Sequence, residues 1–85
     1  MGEMTETQIR GVVCQAIMRV LPRVRSTDIA GDRHIRELGA DSVDRVEIIS
    51  SILDDLRLET PLARFADVPN IDALVTCLAE EVARG

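Results

Sequence analysis

Apolar side chains recur at Ile9, Val12, Val13, Ala16, Ile17 and Val20, the three-and-four spacing that lays one apolar stripe along a helix. The spacing predicts a first helix from Thr5 to Leu21, with Thr5 as its cap and Pro22 as its stop. From Arg23 to Ala40 no period holds, and Ser26, Thr27, Asp28, Gly31, Asp32 and Gly39 are turn and loop formers. A loop of this length in a small domain is expected to be functional or wrapped against the core, with Ile29, Ile35 and Leu38 as its anchors.

A second helix is expected to start at Asp41 or Ser42, either of which can cap it with a side-chain oxygen, and to run to about Leu56. Val46, Ile49, Ile52, Leu53 and Leu56 share an arc of about 120° on this helix, while Asp44, Glu47, Ser51, Asp54 and Asp55 share another. Val43 falls off the apolar arc and beside the acidic one, so it is predicted to be exposed next to Ser42. Thr60-Pro61 reads as a cap followed by a first-turn proline, opening a short third helix of one turn through Phe65. Pro69 breaks the chain again, and Asn70 caps a last helix in which Ile71, Leu74, Val75, Leu78 and Val82 repeat the stripe up to Gly85. No strand is needed. The expected fold is all-α: a small four-helix bundle with three long helices, one short helix and a long first loop.

Composition narrows the function more than the fold. The 85 residues suffice for one domain, residues 1–85, and leave little room for an enclosed substrate cavity. With 46% apolar and 29% charged residues the chain reads as a soluble globular protein, expected to be a monomer. Fifteen acids against ten bases give a net charge of -5, which disfavours nucleic acid and anionic membranes and favours basic protein partners. All ten bases are arginine, a bias that fits a GC-rich, bacterial genome. Met1 to Thr7 is polar and acidic, so neither a signal peptide nor a membrane span is expected, and the chain is placed in the cytoplasm. Cys14 and Cys77 sit in apolar-periodic segments without metal-ligand spacing and are expected to be reduced core thiols, a disulfide being the alternative.

Unaided catalysis has few candidates. His34 has no neighbouring nucleophile, Asp54 and Asp55 lie on a solvated helix face, and there is no glycine-rich phosphate loop or metal-ligand spacing. The exception is Gly39-Ala40-Asp41-Ser42-Val43-Asp44. A serine at a helix entry can be a cap and nothing more, and the chain would then be an unmodified helical interaction module. Three features favour chemistry at Ser42. A helix N-terminus suits an attached phosphate, Gly39 allows close approach of another protein's active site with Asp41 supplying a carboxylate, and the following helix offers acids and an out-of-place apolar residue for docking.

The run Glu37-Leu38-Gly39-Ala40-Asp41-Ser42-Val43-Asp44-Arg45-Val46-Glu47-Ile48 resembles the phosphopantetheine attachment motif of acyl carrier proteins, and the helix pattern is similar to that family along nearly the whole chain. The resemblance implies a non-catalytic carrier whose Ser42 receives 4'-phosphopantetheine from coenzyme A through a phosphopantetheinyl transferase. It also implies that Asp41 assists magnesium in that transfer and that Val43, Asp44, Val46 and Glu47 belong to the partner face, on which Arg45 is expected to alter partner choice. Two departures stand out. His34 replaces an apolar or aromatic loop residue, and Arg45 puts a positive charge in an acidic helix. A narrower likeness, carried by Ser42 through Ile48, Pro61 through Ile71, and Leu74-Val75, is to free-standing donor carriers of polyketide β-branching cassettes. That likeness implies malonyl loaded by an acyltransferase, its conversion to acetyl by a decarboxylating ketosynthase-like enzyme, and delivery of the acetyl group to an HMG-CoA-synthase-like enzyme. Carriers of fatty-acid, other polyketide or nonribosomal peptide synthesis are the alternatives.

Overall fold

The computed structural model describes residues 4–84, and within them three α-helices meet around one apolar core: α1 (Glu6–Val20), α2 (Ser42–Leu56) and α3 (Ile71–Arg84). Three single 3-10 turns, Ser26–Asp28, Ile35–Leu38 and Leu62–Phe65, take up the connections. The expected all-α architecture is present, and its short fourth helix is the 3-10 turn Leu62–Phe65. The expectations for Met1 to Glu3 and for Gly85 lie outside the described residues.

Each long helix begins where a side chain can accept a hydrogen bond from an otherwise orphaned backbone N–H. Thr5 Oγ1 accepts from Gln8 N at 3.1 Å while Gln8 Oε1 accepts from Thr5 N at 2.8 Å, a reciprocal capping box. Asn70 Oδ1 accepts from Ala73 N at 2.8 Å. Behind these caps Ile9, Val13, Ala16 and Ile17 of α1, Ile48, Ile49, Ile52 and Leu53 of α2, and Ile71, Leu74, Val75 and Leu78 of α3 are buried together. Helix α1 packs on both of the others. Arg19 reinforces the α1–α2 seam, its Nη1 donating to Ser51 Oγ at 2.6 Å.

Several expectations change on α2 and in the short turn. The buried arc includes Ile48, which the wheel had left outside, while Val46 is 51% exposed and Leu56 only half-buried. The buried arc is rotated by tens of degrees from the predicted one, so that the neighbouring helices cover Ile48 and leave Val46 at the surface. Thr60 is not a cap. Its Oγ1 donates to Glu81 Oε1 at 2.9 Å, and Pro61, which has no side-chain hydrogen bond to offer, takes the position before the turn. Phe65, the one aromatic residue, is fully buried from that turn. Cys14 and Cys77 are free thiols but are half-buried at the rim rather than in the core. Burial raises both thiols above the ordinary cysteine range, partly opposed by Arg10 beside Cys14 and Arg64 near Cys77.

The long loop after α1 is fixed to the start of α3 by its own backbone. Ile71 N donates to Arg33 O and Asp72 N to Gly31 O, both at 2.9 Å, so two first-turn donors of α3 are met by loop carbonyls. Ile35 is buried beneath this contact, with Ile29 and Leu38 half-buried as anchors. Gly31 lies so close to α3 that a methyl group there would overlap the Asp72 carboxylate, which Arg10 Nη2 holds at 2.6 Å. We expect Gly31→Ala to displace the exposed Asp72 carboxylate and weaken its surface pair with Arg10, lowering stability by no more than about 1 kcal/mol. Thermal melts would check this, and in an Asp72→Ala background Gly31→Ala should cost less, because the carboxylate is already gone.

Candidate functional site

The turn that delivers Ser42 is built from the loop outward. His34 opens the 3-10 turn Ile35–Leu38, its Nδ1 accepting from Arg36 N at 3.0 Å while Glu37 Oε1 accepts from His34 N at 2.8 Å. The turn ends at Gly39 with φ +99°, a left-handed conformation that glycine adopts at little cost, and a Cβ there would meet open space. Gly39 is therefore required by backbone conformation, and its open surroundings leave the approach to Ser42 clear. Ala40 is then buried as the chain enters α2.

Asp41, rather than Ser42, caps α2. Its Oδ1 accepts from Asp44 N at 2.8 Å, and Asp44 Oδ2 accepts from Asp41 N at 3.3 Å. Ser42 is the first helical residue and is exposed, so its hydroxyl is released from capping and open to an incoming enzyme. Around it stand the three exposed large apolar side chains of the described residues: Val43 at 63% exposure, Val46 at 51% and Leu62 at 39%. A cleft of about 280 Å³ opens between the first half of α2 and the Leu62–Phe65 turn, lined by Ser42, Arg45, Val46, Ile49, Leu62, Ala63 and Ala66.

The expected partner-face residues divide. Val43, Val46 and Glu47 are exposed on α2. Asp44 is half-buried and engaged in the capping box. Arg45 turns away from the acidic face, its Nη2 donating to Ala66 O at 3.2 Å so that it ties the Leu62–Phe65 turn to α2. Its position was legible at the i, i+4, i+7 spacing of Arg45, Ile49 and Ile52, which aligns it with the buried stripe. Leu62 was missed because a one-turn element has too few residues to show a period. The turn that carries it is held from the other side by Glu81, which accepts from Thr60 and pairs with Arg64 at 3.2 Å. Among the described residues no cluster of three acidic, histidine or cysteine side chains could hold a metal ion. No described helix is long and apolar enough to cross a membrane.

An exposed helix-entry serine beside an apolar cleft, on a small all-α fold, is the layout of a carrier domain. Residues 11–78 match the family described as phosphopantetheine attachment site, and the chain belongs to that family of acyl carrier proteins, which carry their cargo without catalysing its chemistry. It is 38% identical over 79 residues to the polyketide biosynthesis acyl-carrier-protein AcpK of Bacillus subtilis (strain 168), covering 93% of this chain and 96% of that protein. A solved structure, the curacin biosynthetic pathway HMG synthase in complex with acetyl donor-ACP, contains a chain that matches 91% of this one with a TM-score of 0.83 at 27% identity. The match covers 99% of that chain, so the chain matched is of carrier size.

The family's covalent 4'-phosphopantetheine fits what surrounds Ser42. The hydroxyl is exposed, Asp41 has already taken the capping role, and the apolar cleft begins at the same residue. His34 introduces a pH dependence close by. Burial first, then Arg45 and Arg36, lower its pKa below the ordinary imidazole value against an opposing pull from Glu37. The neutral ring is the one that accepts from Arg36 N, so its contribution to stability is complete above about pH 6.5 and is lost as pH falls through the lower folded value. His34→Asn keeps a capping acceptor without a titrating group. Melting curves from pH 7 to about 5 should therefore fall more steeply for wild type than for His34→Asn.

Proposed function

We propose that this chain is the donor carrier of a polyketide β-branching cassette, with the phosphopantetheine arm on Ser42. The observation that carries the reading is the exposed apolar trio Val43, Val46 and Leu62 around that hydroxyl. Folding leaves these side chains uncovered beside the attachment point, where a partner enzyme can bury them. The likeness to a carrier whose printed description is acetyl donor, in complex with an HMG synthase, supports this occupant, as does the polyketide role named for AcpK. When bound, the arm supplies a thiol that holds an acyl group as a thioester. The chain's own residues position it and present it.

In this reading a phosphopantetheinyl transferase modifies Ser42, an acyltransferase provides malonyl, and a decarboxylating ketosynthase-like enzyme leaves acetyl for an HMG-CoA-synthase-like enzyme. Asp41 assists the first step. Its Oδ1 is held by Asp44 N, and its other oxygen is left to contribute one ligand to a magnesium ion brought by coenzyme A and the transferase. The exposed acids Glu47 and Asp54 steer basic partners towards α2.

Intact mass after co-expression with a phosphopantetheinyl transferase reads the attachment, and we expect Ser42→Ala to gain no arm while remaining helical. An unmodified wild type would return the chain to the interaction-module reading. Asp41→Asn preserves a capping oxygen but removes the carboxylate charge, so modification should slow while the melting temperature stays close to wild type; equal rates would leave Asp41 only its cap. For the donor role, the acetyl-loaded chain is offered to the HMG-CoA-synthase-like enzyme and to a fatty-acid ketosynthase. Val43→Ala should reduce acetyl transfer to the former by about 5- to 30-fold, the equivalent of about 1–2 kcal/mol of lost burial, with little change in melting. Preferential transfer to the fatty-acid enzyme would overturn the donor assignment.

A further inference from the structure

Six arginines of the chain, Arg23, Arg25, Arg33, Arg36, Arg45 and Arg57, have no carboxylate within ion-pair distance among the described residues, and of these only Arg45 lines the cleft that contains Ser42. Arg10, Arg19, Arg64 and Arg84 each lie 2.6 to 3.9 Å from a carboxylate, whereas Arg45 has only the Ala66 carbonyl as its partner among the described residues. A guanidinium carries five N–H donors in a planar fork suited to carboxylate or phosphate oxygens, and one hydrogen bond leaves most of that capacity open. The nearby acids do not take it up. Asp41 and Asp44 are bound to each other's backbone N–H, and neither pairs with Arg45. Arg45 instead lines the apolar cleft that starts at Ser42.

We infer that Arg45 is an anion-recognising residue of this cleft, holding a negative charge carried by the arm itself. The inference rests on the attachment reading for Ser42. Ser42 and Arg45 are three apart on α2, where helical neighbours face the same side within about 5–6 Å at Cβ. A phosphodiester at Ser42 would add negative charge beside Asp41 and Asp44 in a chain whose net charge is already -5. Arg45 is the cation in the lining of that cleft, and its contact with the charge would direct the arm along Val46, Ile49 and Leu62 instead of into solvent. Two anions have the required chemistry: the phosphodiester at the base of the arm and the carboxylate of a dicarboxylic acyl group folded back into the cleft. The phosphodiester is the nearer, since it sits on Ser42 itself.

The test uses the full chain in apo, holo, acetyl-holo and malonyl-holo forms at low salt, with wild type, Arg45→Lys and Arg45→Gln. Gln keeps a donor for Ala66 O without the charge, and Lys keeps the charge. Intact mass and peptide mapping first establish that the arm is on Ser42. The readouts are the phosphorus NMR shift of the phosphodiester and the change in melting temperature on loading. If the phosphodiester is the anion, loading the bare arm should raise the melting temperature of wild type and Arg45→Lys about 4 °C more than that of Arg45→Gln. The phosphorus signal of Arg45→Gln should differ from both. If the carboxylate is the anion, the charge-dependent stabilisation should arise with malonyl and not with acetyl or the bare arm. Loading that is indifferent to the charge at position 45 in all forms overturns the inference while leaving the attachment reading intact. Absence of the arm from Ser42 overturns both.

Discussion

A helix start exposes backbone donors that must find acceptors, and in α3 two of those acceptors come from the loop that follows α1. Ile71 N and Asp72 N bind Arg33 O and Gly31 O, and this pair of hydrogen bonds determines where the loop can run. The rest of the site is downstream of that constraint. With Arg33 fixed, His34 opens the next turn, Ile35 enters the core, Gly39 reverses the chain and Ala40 is buried before Asp41 caps α2. Ser42 is thus presented by a backbone fixed from two ends, one on α3 and one on the core. Hydrogen bonding alone would not hold a loop in water, where the net gain per bond is only about 1 kcal/mol. The bonds select the path, and the burial of Ile35 makes it stable.

Much of this is written in local patterns. The α1 stripe, Thr5 with Gln8, the Asn70 cap and the exposure of Val43 all depend on residues within one or two turns of each other, and the sequence displays them directly. The serine at the entry of α2 was equally plain, although Asp41 and Ser42 were indistinguishable as caps until the reciprocal bonds of Asp41 and Asp44 separated them. What remained hidden has a common cause. Main-chain carbonyls such as Arg33 O and Ala66 O accept hydrogen bonds whatever their side chains are, so contacts made through them leave no mark on residue type. The roll of α2 was hidden for another reason: Ile48 and Val46 are both apolar, and only the position of the neighbouring helices decides which of them is covered.

The roll matters for function because it converts a core residue into part of a surface. With Val46 covered as part of the predicted arc, α2 would have had one exposed apolar side chain near Ser42, Val43; with Ile48 in the core instead, Val43 and Val46 are both exposed. Leu62 joins them only because its turn is tied on both sides, by Arg45 to α2 and through Thr60 and Arg64 to Glu81 on α3. Val46 and Leu62 come to line one cleft, with Val43 exposed next to Ser42, through three separate long-range contacts. Their apolar contribution to a partner is available because the fold does not already use it.

The acidic side chains of α2 are not equally free. A count of its carboxylates suggests a continuous docking charge, yet Asp44 is engaged in the cap and Asp55 lies 3.9 Å from Arg19. Glu47 and Asp54 remain exposed on the helix. Charges free to meet a partner act mainly on the encounter, and at physiological salt their reach is about 8 Å. Two free acids can bring a basic enzyme to α2 but specify little about which enzyme arrives. Under the proposed function, discrimination then falls to features that require close fit: the exposed Val43, Val46 and Leu62, and the cleft lined by Ser42 and Arg45. Arg45 was singled out in the sequence as a charge out of place on a docking face. In the structure it lines the cleft beside Ser42 and ties down the Leu62–Phe65 turn through the Ala66 carbonyl, so its charge is turned towards the cleft and away from the acidic face.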